Sequence, residues 1–65
     1  MEGVADFIGK RVKLVYTDGG RDKGIAGVLK EVTPDGFVRL IDEWHSHPHL
    51  ISAERVIYIT VLNEV

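Results

Sequence analysis

The chain has 65 residues, enough for one domain spanning 1–65 and no second. Folding a chain this short removes only about 60% of the surface its unfolded form exposes. Cysteine is absent, which excludes disulfides and thiolate metal sites and leaves His/carboxylate metal binding or assembly to support a small core. With 45% apolar and 28% charged residues, the composition is that of a folded globular domain. No apolar run reaches membrane-spanning length. The stretch Met1–Asp6 lacks the basic-then-apolar order of a signal peptide. The expectation is a soluble cytoplasmic protein with no membrane partner and no cofactor. A net charge of −2 argues against bulk nucleic-acid binding.

Val4, Phe7 and Ile8 sit at helical spacing and predict a short N-terminal helix that Gly9 stops. From Arg11 the period changes to two, with Val12, Leu14 and Tyr16 forming one face of a half-buried strand. Thr17-Asp18-Gly19-Gly20 is turn chemistry. Gly24 and Gly27 then interrupt a second strand that continues through Val28, Leu29 and Val32. Glycines inside a strand mark a bulge or sharp bend. Thr33-Pro34-Asp35-Gly36 is a second turn, after which Val38, Leu40, Asp42 and Trp44 alternate with Phe37, Arg39, Ile41 and Glu43. His45–His49 reads as a loop or as frayed strand tips, Leu50–Ser52 as a short strand, and Ala53–Arg55 as one helical turn. Val56–Leu62 has the β-branched and aromatic composition of a last strand.

Five short strands in so few residues cannot form two well-packed sheets. The economical arrangement is an all-β fold, a short N-terminal helix followed by a strongly bent five-stranded barrel. Such a barrel leaves strand edges open to pairing. In the last strand Ile57, Ile59 and Val61 alternate with Tyr58, Thr60 and Leu62, so both faces are largely apolar, which implies cover from outside the chain. Charge is divided as well. Residues 10–30 carry Lys10, Arg11, Lys13, Arg21, Lys23 and Lys30 against Asp18 and Asp22, and residues 31–65 carry the opposite excess. The division suits contact between neighbouring copies, or a basic face, as well as it suits scattered solvated charge.

This order of elements resembles the Sm/LSm family, which includes the bacterial Hfq proteins, and more loosely the SH3-like barrels. The residues that carry the resemblance are the helix end Phe7-Ile8-Gly9, the first strand Gly9-x-x-Val12-x-Leu14 and the bent strand Gly27-x-Leu29-x-x-Val32. Phe37–Asp42 and the closing segment Ile51–Ile59 complete it. The resemblance implies a homo-oligomeric ring of five to seven copies, joined by the last two strands, that binds single-stranded RNA. It makes Ile51, Ile57, Tyr58, Ile59 and Val61 candidate subunit-interface residues. The family's RNA pocket uses an Asp and an Asn around the turn between strands two and three, where this chain has Thr33 and Phe37, and an Arg-Gly pair where it has Ser52-Ala53. Any RNA site is therefore non-standard.

Candidate RNA-binding residues are Lys10, Arg11, Lys13, Arg21 and Lys23 for phosphates and Phe37 for stacking. The alternative is an SH3-like module that captures a protein partner. His45, His47 and His49 are candidate metal ligands, since alternate residues of an extended segment point to one side and imidazole suits zinc, copper or nickel. The competing reading is a solvated loop tip. His45-Ser46-His47-Pro48 matches the metal-binding core of JAB/MPN metalloproteases, but no Asp follows Asp42 and those enzymes need a larger α/β domain. No catalytic set is visible in the sequence, so the expected role is binding and not catalysis. Trp44 is expected to pack inside the barrel or against a neighbouring copy.

Overall fold

The structure is a computed structural model and describes residues 3–62. Five strands, β1 (Arg11–Asp18), β2 (Arg21–Val32), β3 (Phe37–Asp42), β4 (Pro48–Ser52) and β5 (Val56–Val61), form one sheet in the order β4-β3-β2-β1-β5. Every neighbouring pair is antiparallel. Among the described residues no ladder joins β4 to β5, so the sheet is open and these two strands are its edges.

The β1–β2 hairpin closes on Gly19 (φ 59°) and Gly20 (φ 84°), with Asp18 paired to Arg21. Two adjacent left-handed positions are what a tight two-residue hairpin needs, and glycine adopts them without strain. β2 serves two partners in sequence. Its first part, to Val28, pairs with β1, and its second part, from Gly27, pairs with β3. Gly27 lies at the handover. A Cβ there would stand 2.0 Å from the Ile41 carbonyl oxygen, so only glycine lets β2 and β3 approach this closely. One residue later than Leu29 the register with β3 shifts before Glu31, and such a bulge adds further twist.

The core lies on one face of the sheet. It comprises Val4, Val12, Leu14, Leu29, Val38, Leu40, Ile51 and Ala53, with no buried polar side chain among the described residues. Alternation accounts for it: Val12 and Leu14 come from β1, and Val38 and Leu40 from β3.

Three expectations need adjusting. The N-terminal helix is a single turn of 3-10 helix, Val4–Phe7, bracketed by Gly3 (φ 89°) and Gly9 (φ 85°). Four residues are too few to nucleate an α-helix. β4 begins at Pro48, which opposes Ile41; a proline is tolerated at the start of an edge strand because no ladder bond is asked of its nitrogen. In β5 the register with β1 shifts between Val15 and Tyr16, which pair with Tyr58 and Val56 and leave Ile57 out of the ladder. That extra residue breaks the alternation of Ile57 with Ile59 and Val61.

Candidate functional site

Three features on the described surface could bind something. The first is an open cleft of about 630 Å³ at the hairpin end of β1. Its lining comes from four separate elements. Tyr16 and Asp18 end β1, Phe37 opens β3, His49, Leu50, Ile51 and Ser52 come from β4, and Glu54 and Arg55 from the 3-10 turn Ala53–Arg55. The turn between β2 and β3 is built by its own sequence: Thr33 Oγ1 accepts from the Phe37 amide at 2.9 Å, and the Gly36 amide bonds Thr33 O at 3.0 Å. The Ala53 amide then donates to Gly36 O at 2.8 Å, and Phe37 opposes Ser52. The β2–β3 and β4–β5 connections therefore meet at this cleft. Arg55 stands 3.9 Å from Asp18 across it. The cleft combines aromatic, apolar and mixed-charge groups.

The second feature is the β3–β4 turn. Asp42 Oδ1 accepts from the Trp44 amide at 2.5 Å and the His45 amide at 3.1 Å. Oδ2 faces His49 Nε2 at 3.3 Å and His45 Nδ1 at 3.6 Å. These contacts hold a side chain that is only 13% exposed. Hydrogen bonding from the Trp44 amide, helped by His45 and His49, holds its carboxyl below the usual carboxylate range, against the opposing effect of burial. The turn that results projects Trp44 outward at 79% exposure. Trp44 packs neither in the core nor on it, because the carboxylate of Asp42 ends the strand before the indole's turn in the alternation.

The segment that carries the candidate metal ligands is not extended throughout. Ser46 has φ 57°, which breaks the extended run that alternation requires. His45 and His49 converge on Asp42, while the His47 ring lies against that of His45 at 5.8 Å. Among the described residues no three His, Cys, Asp or Glu side chains are grouped to hold a metal.

The third feature is basic, and the structure divides it. Buried Val12 and Leu14 put Arg11 and Lys13 on the outer face of β1. Arg21 pairs with Asp18, and Lys23 with Tyr16, so both follow the inner face at the far hairpin. Six candidate RNA-binding residues thus fall into separate places. Lys10, Arg11 and Lys13 lie at the start of β1, Arg21 and Lys23 lie at the hairpin, and Phe37 lies in the cleft. Arg11 is engaged by Glu43 in a two-pronged pair, Nε–Oε2 2.6 Å and Nη2–Oε1 3.2 Å, which lowers the Glu43 carboxyl. Lys23 bonds Asp18 at 3.0 Å, and this contact lowers the acid and raises the amine. Lys10, Lys13 and Arg21 make no ion pair among the described residues.

The candidate interface residues also separate. Ile51 is buried, and Ile59 and Val61 pack against the core. Only Ile57 and Tyr58 are exposed. On the opposite edge Leu50 is 63% exposed. Alternation does not single out Leu50, and nothing in spacing alone brings Tyr16 and Arg55 to Phe37. The Asp42 turn had a readable signal: an Asp just before a polar loop is suited to accepting amides two and three residues on.

No helix among the described residues is long and apolar enough to cross a membrane. Comparison with protein-family models, with curated proteins and with solved structures returns no match for this chain.

Proposed function

We propose that this chain is a non-enzymatic, Sm-like small barrel that assembles with copies of itself and binds single-stranded RNA through a non-standard site. The observation that carries the reading is the pair of free edges, β4 and β5, each showing apolar side chains to solvent: Leu50 on one, Ile57 and Tyr58 on the other. Unpaired strand edges with exposed apolar residues are templates for strand addition. The handover of β2 from β1 to β3 at Gly27 supports the curl that a barrel requires. Adding β5 of one copy to β4 of the next satisfies both edges and, repeated around a closed ring, leaves none. Cytoplasmic residence goes with this reading.

The test is sedimentation of the wild-type chain beside Leu50→Lys/Ile57→Lys, with circular dichroism to show that the variant folds. A wild-type assembly that the double variant dissociates supports the reading. Two monomers defeat it.

A second reading, an SH3-like module for a protein partner, draws on the cleft, where Tyr16, Phe37 and Leu50 stand with Asp18 and Glu54. Aromatic and acidic groups together suit a basic, apolar peptide. Peptide capture that resists salt favours this reading; RNA binding that weakens steeply with salt favours the first.

A further inference from the structure

We infer that the surface around Trp44, and not the Phe37 cleft, is where single-stranded RNA lies, with the indole stacking on a base and Lys10 and Lys13 meeting the phosphates. The inference rests on the RNA-binding part of the proposed function and assigns it a site.

The β3–β4 turn is fastened to the β1–β2 hairpin at two points. The Glu43 amide donates to Ala26 O at 3.1 Å, and the Glu43 carboxylate holds Arg11. Ala26 is the ladder partner of Lys13, and Arg11 follows Lys10 and shares the outer face with Lys13. The residue before Trp44 is thereby fastened to Ala26, the ladder partner of Lys13, and to Arg11, the neighbour of Lys10. Arg11 is neutralised by Glu43, but Lys10 and Lys13 are exposed and without an ion pair among the described residues. Small residues, Gly24 and Ala26, lie across from Val15 and Lys13, so little side-chain bulk stands over that part of the sheet.

An indole left in water is an anomaly for so apolar a group in so small a chain. Its backbone is held in place, because the Trp44 amide and the next are bound by Asp42 Oδ1. An exposed aromatic on a fixed turn, together with exposed lysines on the adjoining strand, is the combination that binds single strands without reading their sequence. In the cleft Arg55 already faces Asp18 and Glu54 makes no ion pair among the described residues, whereas at the turn Glu43 is held by Arg11 and the Asp42 side chain is only 13% exposed.

Trp44 is the chain's single tryptophan, so its emission reports on this site alone. The experiment titrates the full chain with oligo(U) and oligo(A) of about ten nucleotides and reads both Trp44 emission and the anisotropy of a label on the RNA. The inference predicts saturable quenching that tracks the anisotropy. Trp44→Ala then weakens binding by roughly 5- to 150-fold, and Trp44→Phe restores much of it. Lys10→Ala/Lys13→Ala lowers the slope of log affinity against log salt by about 1.4, while Phe37→Ala leaves affinity unchanged. RNA binding with unmoved emission, lost instead in Phe37→Ala, overturns this site and leaves the proposed function standing. No RNA binding even at low salt overturns both. A blue emission shielded from acrylamide before RNA is added assigns the indole to a neighbouring copy and overturns the site. Emission that responds to anionic vesicles but not to RNA does the same.

Discussion

Gly27 and Gly24 sit three residues apart in one strand and do different work. A Cβ at Gly27 would enter the Ile41 carbonyl, part of a backbone that cannot turn aside, whereas a Cβ at Gly24 would meet the flexible Lys13 Cε at 3.2 Å. Gly27→Ala should therefore cost about 3 kcal/mol or more, beyond ordinary overpacking and a large share of the few kcal/mol a small domain has to lose. Gly24→Ala should change stability little. Urea unfolding of the two variants beside wild type reads the difference directly. Asp42 shows a second residue-scale effect. Asp18, Asp42 and Glu43 all have lowered carboxyl pKa values, held by Lys23, the Trp44 amide and Arg11 respectively. A lowered folded-state pKa adds stability above the unfolded value, about 4 for a carboxylate, and that stability is lost as pH falls through the folded values. Melting temperature should stay level from neutrality to about pH 5 and then fall. Asp42→Asn should lower it at pH 7 and flatten the acid limb; an unchanged limb would remove Asp42 from the account.

At the scale of elements, the strands follow the period-two pattern of their side chains, and departures occur where one residue is inserted. Leu29 and Leu40 are opposed in the β2–β3 ladder and fully buried, so truncating either to Ala should cost about 2–5 kcal/mol. Cooperative thermal melts would report it. This face was legible in the sequence because Val12, Leu14, Val38 and Leu40 alternate cleanly with polar or half-exposed neighbours. The turns at Gly19-Gly20 and Thr33–Gly36 were legible for a different reason, since only certain residues tolerate their angles. β5 was not. Its residues are apolar whichever way they point, and the bulge that drops Ile57 from the ladder depends on Tyr16 and Val15 in another strand. The path of His45–His49 was not legible either: alternation describes an extended chain, and Ser46 is not extended. Trp44 does not pack within its own chain, because its alternation with Leu40 does not continue past Asp42, at which the strand ends.

At the scale of the molecule, and among the described residues, eight buried side chains support the sheet and both of its edges remain unpaired. Among the described residues the halves 10–30 and 31–65, of opposite excess charge, are joined by Arg11–Glu43 and Arg55–Asp18, while Lys23–Asp18 and Arg39–Glu31 each pair within one half. Much of the opposite charge is thus left for contacts between copies or with a ligand. A chain whose small core and open edges are completed by its neighbours should lose stability on dilution, because assembly and folding are then linked. Light scattering behind a sizing column measures the claim most directly, as the mass of the particle in solution. A mass of five to seven chains is the result the ring predicts; a monomer at every concentration would contradict it.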